Sequence, residues 1–308
     1  MTGRLMLLDT ASLYFRAFYG VPDSVKAPDG TPVNAVRGLL DIIARLVTEF
    51  EPTELVACWD DDWRPGWRVE LIPSYKAHRV EKSVAGGVDV EQTPEGLVAQ
   101  IPVIRQVLDA LGIAIVGAAH HEADDVIGTL ATGAGRPVDI VTGDRDLFQL
   151  VDDAAGVRVI YTAKGMSNLE LVTDGVIESK YGIGPQQYAD FAAMRGDTSD
   201  GLPGVSGVGE KTASGLLREF GDLTAIRAAA ADTATPLSPT VRARFAAASD
   251  YLDVAPRVVE VVRDLELPAF DPVLRAVKGE QLAAAEQLAD TWALGGSMDR
   301  VLKALGGE

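Results

Sequence analysis

The sequence has a single cysteine, few aromatic residues and no long apolar run. With Cys58 as the only thiol, no disulfide can form within the chain, and such sparse cysteine usage is typical of a reducing compartment. No apolar run approaches the roughly 20 residues that a transmembrane helix needs. Neither a signal peptide nor a lipidation motif is visible. We therefore expect a cytoplasmic protein that makes no membrane contact.

Positive charge is also scarce, because 45 acidic residues outnumber 28 basic ones and the formal net charge is -17. Proteins that bind duplex nucleic acid are usually basic over much of their surface, so this balance excludes that arrangement. Any anionic partner must instead be held by a local basic patch, by metal ions or by backbone donors. The 308 residues suffice for roughly one to two domains. No interface signature stands out, and we expect a monomer.

Short apolar runs alternate with amphipathic stretches in the first half of the chain. This alternation predicts an α/β fold with a largely parallel central sheet flanked by helices. Apolar residues at positions 123, 126, 127, 130 and 131 have the spacing of one helical face. The predicted buried strands are at residues 4–9, 54–60, 113–117 and 138–144.

The chain is expected to divide into a core at residues 1–175 and a helical region at residues 176–308. Residues 64–100 have little periodicity and two adjacent glycines, which predicts a long mobile loop or arch within the core. Gly/Pro-rich turns separate the helices of the second region, which ends in an alanine-rich helical tail. Residues 232–239 are predicted to be a linker.

Carboxylates follow the predicted strands at the point where each strand ends. Because the carboxyl ends of parallel strands meet at one edge of a sheet, acids far apart in sequence should converge there. Two further acids, spaced three residues apart, share a helical turn downstream. The candidate set is Asp9, Asp60, Glu122, Asp124, Asp125, Asp144, Asp146, Asp197 and Asp200.

So dense a cluster of like charges disfavours full ionisation, and divalent cations would relieve the repulsion. Mg²⁺ and Mn²⁺ prefer carboxylate and water oxygens, and two such ions can stabilise both the attacking and the leaving oxygen of a phosphoryl displacement. The sequence therefore predicts a site for two Mg²⁺ or Mn²⁺ ions. Any one acid, taken alone, is better explained as a helix cap or a solvated surface group, and only the whole set at the strand ends favours a metal site.

A glycine-rich stretch, GDTSDGLPGVSGVGEKTASGLL, spans residues 196–217. Its glycines Gly204, Gly207 and Gly209 allow turns in which backbone N–H groups approach a phosphate, and Lys211 and Thr212 add a charge and a hydroxyl. These features suit a phosphate-binding turn. A glycine-rich turn between two packed helices is the alternative.

Six motifs then occur in a characteristic order: LLDTASLYFRAF, CWD, WRVELIPSYKAHR, HHEADDVIGTLA, VTGDRDLFQLV and GDTSDGLPGVSGVGEKTA. In this order the chain resembles the bacterial and phage 5′-nuclease (flap endonuclease) family, over about residues 4–225. It looks like a free-standing DNA polymerase I-type 5′-3′ exonuclease domain. The resemblance implies a PIN-like nuclease core with an arch, followed by a helix–three-turn–helix at about residues 184–220.

The resemblance implies a structure-selective 5′-nuclease, with flap endonuclease and 5′-3′ exonuclease activity, that serves DNA replication and repair. Its partners would be DNA flaps, 5′ ends and branched junctions, and its cofactors two Mg²⁺ or Mn²⁺ ions. All nine acids would serve the metals, with Asp124, Asp125 and Asp144 at the core of the tighter site. Asp197 and Asp200 would help to hold the second ion.

The same resemblance assigns catalytic roles to cations. Lys76 and Arg79 match the arch cations that close over a phosphate, and Arg16 matches a further phosphate-contacting arginine. Tyr75 is expected to stack on an unpaired base. Residues 64–82 carry a local net charge of +3, which supplies the basic patch that the overall charge lacks. A monovalent cation such as K⁺ would be held by backbone carbonyls, with Val205 and Val208 as the candidate donors.

The chain departs from the family pattern at two places. Gly201 replaces an asparagine, so any contact from that amide is lost. Asp61 and Asp62 extend the single aspartate of the CWD motif, and we expect a solvated turn there, with an additional metal contact from Asp62 as the alternative. Three other functions remain open: a non-catalytic protein that binds branched DNA, an RNA nuclease and a small-molecule phosphatase. The filled acid positions disfavour the first, and the glycine-rich stretch disfavours the other two.

Overall fold

The computed structural model describes residues 3–84 and 87–306 of the chain. Its strands are β1 (Leu5–Asp9), β2 (Glu54–Cys58), β3 (Val80–Lys82), β4 (Val90–Glu91), β5 (Ala114–Val116), β6 (Val138–Thr142), β7 (Val157–Tyr161) and β8 (Glu170–Val172). Six of them form one sheet with the spatial order β5-β2-β1-β6-β7-β8. All neighbours in this sheet are parallel except β7 and β8. The four predicted strands are present, and the predicted fold class is confirmed.

Fourteen helices within the described residues cover the sheet and build the second half of the chain. They are α1 (Thr10–Gly20), α2 (Asn34–Phe50), α3 (Gly66–Leu71), α4 (Glu95–Val98), α5 (Ile101–Ala110), α6 (Ala123–Thr132), α7 (Asp174–Tyr181), α8 (Tyr188–Arg195), α9 (Glu210–Phe220), α10 (Leu223–Ala231), α11 (Pro239–Ala247), α12 (Ser249–Val259), α13 (Glu280–Thr291) and α14 (Gly295–Ala304). None of these helices is long and apolar enough to cross a membrane.

The sheet is buried on both faces, as its continuous apolar strands predict. Successive side chains of β1 point to opposite faces. Leu5 and Leu7 pack into a core with α6, whereas Met6 and Leu8 pack into a second core with α1, α2 and α5. Leu7 is fully buried, so its truncation to alanine would cost about 2–5 kcal/mol. The two cores fix the sheet, and with it the edge at which the parallel strands end.

The segment predicted as a mobile loop or arch contains regular structure. It begins with the short helix α3, continues through a single helical turn at Ala77–Arg79, and forms a two-stranded hairpin from β3 and β4. Arg64 secures its base, because its guanidinium donates to the carbonyls of Pro73 and Tyr75 and pairs with Asp89 at 2.6 Å. Internal hydrogen bonds thus give this segment an order that its weak periodicity did not predict.

Helices α7 to α12 form a helical unit after the sheet. The predicted linker at residues 232–239 is a connection between α10 and α11 rather than a boundary. Leu237 in this connection is buried in the core, and the hydroxyl of Thr235 donates to the carbonyl of Ala229. Its polar and proline residues are typical of such a helix–helix turn.

The last two helices return to the sheet domain. Leu294, Met298, Val301 and Leu305 belong to the same core as α1 and α2. The backbone of residues 272–274 adds to this attachment, because Leu55 N donates to Pro272 O at 2.8 Å. The tail therefore packs against the first half of the chain. The predicted division had placed it in the helical region, because sequence order alone does not reveal which core an apolar helix joins.

Candidate active site

A polar cavity of about 320 Å³ opens at the carboxyl ends of the parallel strands. Strand β1 ends at Asp9, Asp60 follows β2, and Asp144 follows β6, whereas Glu122 and Asp124 begin α6 just after β5. Six of the nine predicted acids line this cavity: Asp9, Asp60, Glu122, Asp124, Asp144 and Asp197. The parallel sheet thus brings together acids that are as much as 135 residues apart in sequence, and Asp197 joins them from the turn after α8.

Hydrogen bonds from neighbouring turns orient two of these carboxylates. The Thr142 hydroxyl donates to Asp9 Oδ2 at 2.6 Å, and Ser12 N donates to Asp9 Oδ1 at 3.2 Å. The first backbone N–H of α6, from Ala123, donates to Asp60 Oδ1 at 2.7 Å. The acids are therefore held in place by the same turns that end the strands.

Burial and mutual repulsion disfavour ionisation of the cluster. Burial raises the pKa of Asp9 to about 7, and the nearby charges of Asp60 and Asp144 act in the same direction, against the hydrogen bond from Thr142. The pKa of Asp124 is likewise raised, first by burial and then by Asp9 and Asp144. Burial also raises the pKa of Asp60. A divalent cation would reverse these shifts, because it stabilises the ionised form of each acid.

Two further predicted acids lie at the border of the cavity. Asp146 follows Asp144, and burial together with Asp144, Asp200 and Asp197 raises its pKa. Asp200 is largely buried, and burial raises its pKa to about 6 although Lys76 opposes the shift. Both lie close enough to the other acids to interact with them electrostatically.

Asp125 differs from its predicted place at the core of the tighter metal site. It is fully buried and does not line the cavity. Arg68 pairs with both of its oxygens at 2.7 and 2.9 Å, and the backbone N–H groups of Val262 and Glu122 donate to one oxygen each. Four donors occupy the carboxylate, so it has no free lone pair for a metal. The prediction failed because Arg68 is 57 residues away and carries no motif that links it to Asp125.

No three His, Cys, Asp or Glu side chains in residues 3–84 and 87–306 are close enough together to hold a metal ion by themselves. The donor set nevertheless suits Mg²⁺ or Mn²⁺, since it consists of carboxylate oxygens around a polar cavity. Mg²⁺ commonly takes only one or two protein carboxylates and completes its shell with waters and substrate phosphate oxygens. The residues present therefore fit such an ion, with substrate and water as its remaining ligands.

The two predicted arch cations reach the cavity. Lys76 Nζ lies 2.9 Å from Glu122 Oε2, and its own backbone takes the left-handed conformation, with φ 47°. The Arg79 guanidinium pairs with Asp200 at 2.9 Å and donates to the carbonyl of Ser199 at 2.6 Å. Each cation is thus paired with an acid of the site at the wall of the cavity.

Tyr75 does not fit the predicted stacking role. Its side chain is buried, and its hydroxyl donates to both oxygens of Glu122 at 2.9 and 3.0 Å. A base cannot stack on a ring that is enclosed by the protein. Its position next to Lys76 suggested exposure in the sequence, but the backbone turn at residues 74–76 points Tyr75 inward and Lys76 towards the cavity.

Arg16 lies beside the cavity, on helix α1. A side-chain carbon at Gly143 would lie 3.5 Å from Arg16 Nη2, so the guanidinium stands close to the loop that carries Asp144. Its Nε is buried without a hydrogen-bond partner in the structure. The guanidinium therefore lies next to the loop that follows β6, with one buried N–H group that has no partner among the described residues.

The Asp61–Asp62 pair is divided between two environments. Asp61 is exposed, as expected for a solvated turn. Asp62 is buried, and its side chain accepts from Arg64 N at 3.2 Å. Neither residue lines the acidic cavity. The solvated-turn prediction therefore fits Asp61 and is wrong for Asp62, which instead helps to fix the base of the arch.

Gly201 allows the arch to approach the glycine-rich stretch. Its φ is 72°, and a Cβ atom at this position would lie only 2.1 Å from the carbonyl oxygen of Ser74. The Ser74 hydroxyl donates to Gly201 O at 2.8 Å, and Lys76 N donates to Asp200 O at 2.9 Å. The departure from the family pattern at this position thus has a structural reason, because any side chain would push the arch away.

The remaining glycine-rich residues form turns between α8 and α9. Gly204 and Gly207 both have positive φ, at 65° and 71°. Gly204 is buried against Arg195, whereas Gly207, Gly209 and the Lys211 side chain are exposed, and Thr212 is half-buried. The exposed residues present backbone N–H groups near the start of α9, whereas Gly204 allows the turn to pack closely against α8.

The two valines that were predicted to offer carbonyls lie in the same turns. Val205 and Val208 bury their side chains in the main core, and Val205 O already accepts a hydrogen bond from Val208 N at 2.9 Å. A cation at Val205 would share that oxygen with Val208.

The sequence reasoning missed several side chains of the site. Glu91, Trp63, Arg145 and Ser199 also line the cavity. Glu91 comes from strand β4 of the arch, and burial raises its pKa, although Arg79 opposes the shift. No motif marked Glu91, because it lies in the segment that lacks periodicity. Only the pairing of Val80 with Glu91 brings it next to Arg79.

Comparisons with known proteins agree with this architecture. The family model for the N-terminal resolvase-like domain of 5′-3′ exonucleases matches residues 4–182, and the model for their C-terminal SAM fold matches residues 183–279. A 5′-3′ exonuclease of Streptomyces coelicolor is 62% identical over 97% of this chain and 99% of its own. The DNA polymerase I of Mycobacterium bovis is 44% identical over 72% of this chain but only 24% of its own.

Solved structures share the fold at low sequence identity. The T5 D15 protein, co-crystallised with metal ions, superposes with a TM-score of 0.63 at 18% identity and covers 98% of each chain. The catalytic core of Rad2 in complex with a DNA substrate superposes with a TM-score of 0.61 at 18% identity, over 99% of this chain and 92% of that one. Both domains, their order and the close relatives lead to one conclusion: the chain belongs to the 5′-3′ exonuclease family and is a nuclease.

Proposed function

We propose that the protein is a structure-selective 5′-nuclease that hydrolyses DNA phosphodiesters at 5′ flaps, 5′ ends and branched junctions with the help of two Mg²⁺ or Mn²⁺ ions. The observation that carries the proposal is the cavity itself. Acids from four strand ends line it, Lys76 and Arg79 of the arch face it, and Asp197 joins it to the glycine-rich turns. A small-molecule phosphatase would have no use for the arch or the turns.

The cavity acids would hold the metal ions. Asp9, Asp60, Glu122, Asp124 and Asp144 face the cavity from the sheet edge, while Asp146, Asp197 and Asp200 stand on the side of α8. When bound, such ions act as Lewis acids and neutralise the charge on attacking and leaving oxygens. The acids orient the ions through carboxylates that are themselves fixed by Thr142, Ser12 and Ala123.

The arch cations would act on the scissile phosphate. Lys76 and Arg79 would exchange Glu122 and Asp200 for phosphate oxygens, while the contact of Arg79 with the Ser199 carbonyl would keep its guanidinium at the cavity wall. Preorganised cations of this kind stabilise charge that develops in the transition state. Arg16, whose Nη2 lies near Gly143, would contact the same strand.

The exposed turns before α9 would hold the duplex. Gly207, Gly209 and Lys211 present backbone N–H groups and one cation near the start of α9, where the helix dipole favours a phosphate. This local donor set explains how a chain with a net charge of -17 binds an anionic polymer. K⁺ at the Val205 and Val208 carbonyls remains a prediction.

We further infer a cytoplasmic monomer that acts in replication and repair. The single buried cysteine suits a reducing compartment, and one chain supplies every residue named in the site. The neighbours bind substrates of the kind we propose, since Rad2 was solved with DNA substrate and GEN1 with Holliday junction DNA.

Cleavage of a 5′-labelled flap DNA tests the proposal. The full chain is incubated with Mg²⁺, Mn²⁺ or EDTA, and a blunt duplex and a single strand of the same sequence serve as comparisons. Product released near the flap junction, only with a divalent metal, is the expected result. Tight flap binding without cutting under either metal would instead indicate a non-catalytic junction-binding protein.

A further inference from the structure

Arg68 is the bulkiest fully buried side chain of the described chain, and it connects three parts of the molecule. It belongs to α3 at the base of the arch. Its two terminal nitrogens donate hydrogen bonds to the carboxylate of Asp125, in the first turn of α6, at 2.9 and 2.7 Å. Its Nε donates to Val258 O at 3.1 Å, near the end of α12. One side chain therefore joins the arch, the helix that carries two cavity acids, and the helical unit.

Asp125 extends this connection. Besides Arg68, its Oδ1 accepts from Val262 N at 2.9 Å, and its Oδ2 faces the backbone N–H of Glu122 at 3.4 Å. The first contact ties the carboxylate to the segment after α12, and the second ties it to a residue that lines the cavity. Arg68 Nη1 also lies 3.6 Å from Glu122 Oε1.

We propose that Arg68 and Asp125 form a positioning pair. Through this pair, the packing of residues 258–262 of the helical unit determines the positions of the Glu122 and Asp124 carboxylates in the cavity. In this role Asp125 is a support for the metal-binding acids and is not itself a metal ligand. The activity part of the proposal rests on the proposed function, and the metal-binding part stands without it.

The cost of burial supports a positioning role. Two charges removed from water are seldom a net source of stability when compared with apolar residues of similar volume. Such a pair can instead fix the relative position of the segments that carry it, because a bidentate guanidinium–carboxylate contact defines both the distance and the orientation of its two groups. Here the contacts of the pair extend to Glu122, whose carboxylate also accepts hydrogen bonds from the Tyr75 hydroxyl and from Lys76 Nζ.

The first measurement counts bound metal in the absence of DNA. The number of Mn²⁺ ions bound to the full chain at saturation, followed by the electron paramagnetic resonance signal of free Mn²⁺, is compared among wild type, Asp125→Asn and Asp124→Asn, so that a site that is only weakened is still counted. We expect Asp125→Asn to bind as many Mn²⁺ ions as the wild type, and Asp124→Asn to bind fewer. Loss of an ion in Asp125→Asn would show that Asp125 is a ligand and would overturn the proposal.

A double-mutant cycle then tests whether Asp125 acts through Arg68. Single-turnover cleavage is measured at saturating DNA and metal for Arg68→Met, Asp125→Asn and the double variant. Each single change should slow cleavage by about 10–100-fold, the usual cost of losing a partner that orients metal ligands. The double variant should be no slower than the worse single variant. If the double variant is slowed by the product of the two single effects, Arg68 and Asp125 act independently, which would contradict a shared role.

A second buried ion pair provides the matched control. Asp139 is fully buried in β6 and pairs with Arg158 at 2.7 Å, away from the cavity. Asp139→Asn should lower thermal stability and leave the cleavage rate of the folded protein unchanged. If Asp125→Asn does not fold, Arg68→Lys takes its place, since lysine keeps the charge but loses the bidentate contact. Wild-type cleavage speed in Arg68→Lys would then overturn the proposal.

The two proposals fail in different ways. If the wild type cuts no DNA, the proposed nuclease function fails, yet the Mn²⁺ count still decides whether Asp125 is a ligand. If the wild type cuts and Asp125→Asn binds one Mn²⁺ fewer, the nuclease function stands and the positioning pair is wrong.

Discussion

The ammonium group of Lys76 lies 2.9 Å from Glu122 Oε2, so the arch cation and an acid of the catalytic cavity neutralise each other. A phosphate that enters the cavity must therefore compete with Glu122 for Lys76. Divalent cations would favour the exchange, because they give the Glu122 carboxylate another positive partner. Substrate and metal are thus expected to release the arch cation together.

Replacement of Lys76 by alanine should slow the chemical step far more than it weakens binding. We expect single-turnover cleavage of a flap DNA to fall by about 10²–10³-fold, because a preorganised cation at the reacting phosphate is lost. Affinity for the DNA, measured in Ca²⁺, should change little. His78→Ala, an exposed change in the same turn, is the control and should behave like wild type. Equal losses of rate and affinity would mean that Lys76 serves binding alone.

Asp124→Asn should remove much of the stabilisation that metals give. Ligands that bind only the folded state raise its melting temperature. Mn²⁺ should therefore raise the Tm of wild type above its value in EDTA, and should raise that of Asp124→Asn much less. Asp61→Asn, an exposed change outside the cavity, should respond to Mn²⁺ as wild type does. An undiminished metal response in Asp124→Asn would exclude Asp124 as a ligand.

The stability of the metal-free protein should depend on Asp9 in a definite direction. Because the folded state raises the pKa of Asp9 to about 7, it binds a proton that the unfolded chain releases near pH 4. The contribution of Asp9 to the free energy of unfolding therefore becomes less favourable to the folded state as the pH rises from about 4 to about 7. Asp9→Asn cannot ionise, so in EDTA it should gain about 2–3 kcal/mol relative to wild type between pH 5 and pH 8. Urea unfolding at the two pH values measures the gain, and a pH-independent difference would contradict it.

Two glycines allow a paired test of the turns before α9. Gly204→Ala should destabilise the protein by about 2 kcal/mol or more, because φ is 65° and the new Cβ would lie 2.6 Å from Arg195 O. Gly215 lies within α9 with open space around it, so Gly215→Ala should be neutral or stabilise by up to about 1 kcal/mol. Denaturant unfolding of both variants compares these effects. Similar values for the two would show that the turn has no need of glycine.

The sheet and its acids were predictable from the sequence for a simple reason. Parallel strands that are buried on both faces appear as short continuous apolar runs, and their ends mark one edge of the sheet. Asp9, Asp60 and Asp144 could therefore be placed together without coordinates. Helix α6 was predictable because its apolar face repeats at helical spacing.

What the sequence did not predict depends on contacts between distant segments. The pairing of Arg68 with Asp125 and the inward turn of Tyr75 leave no local pattern, since each is decided by what packs across from it. Glu91 reaches the cavity only through the pairing of β3 with β4. The order within the arch likewise comes from Arg64 and its partners 9 to 25 residues away.

The return of α13 and α14 to the sheet domain has a consequence for synthesis on the ribosome. Leu294, Met298 and Val301 complete a core whose other members, such as Leu39 and Ile43, are made about 250 residues earlier. That face of α2 must stay uncovered while the whole helical unit emerges. The domain that contains the sheet therefore finishes folding only after residues 280–304 have been translated. A nascent chain arrested before them would expose an apolar, aggregation-prone surface to chaperones.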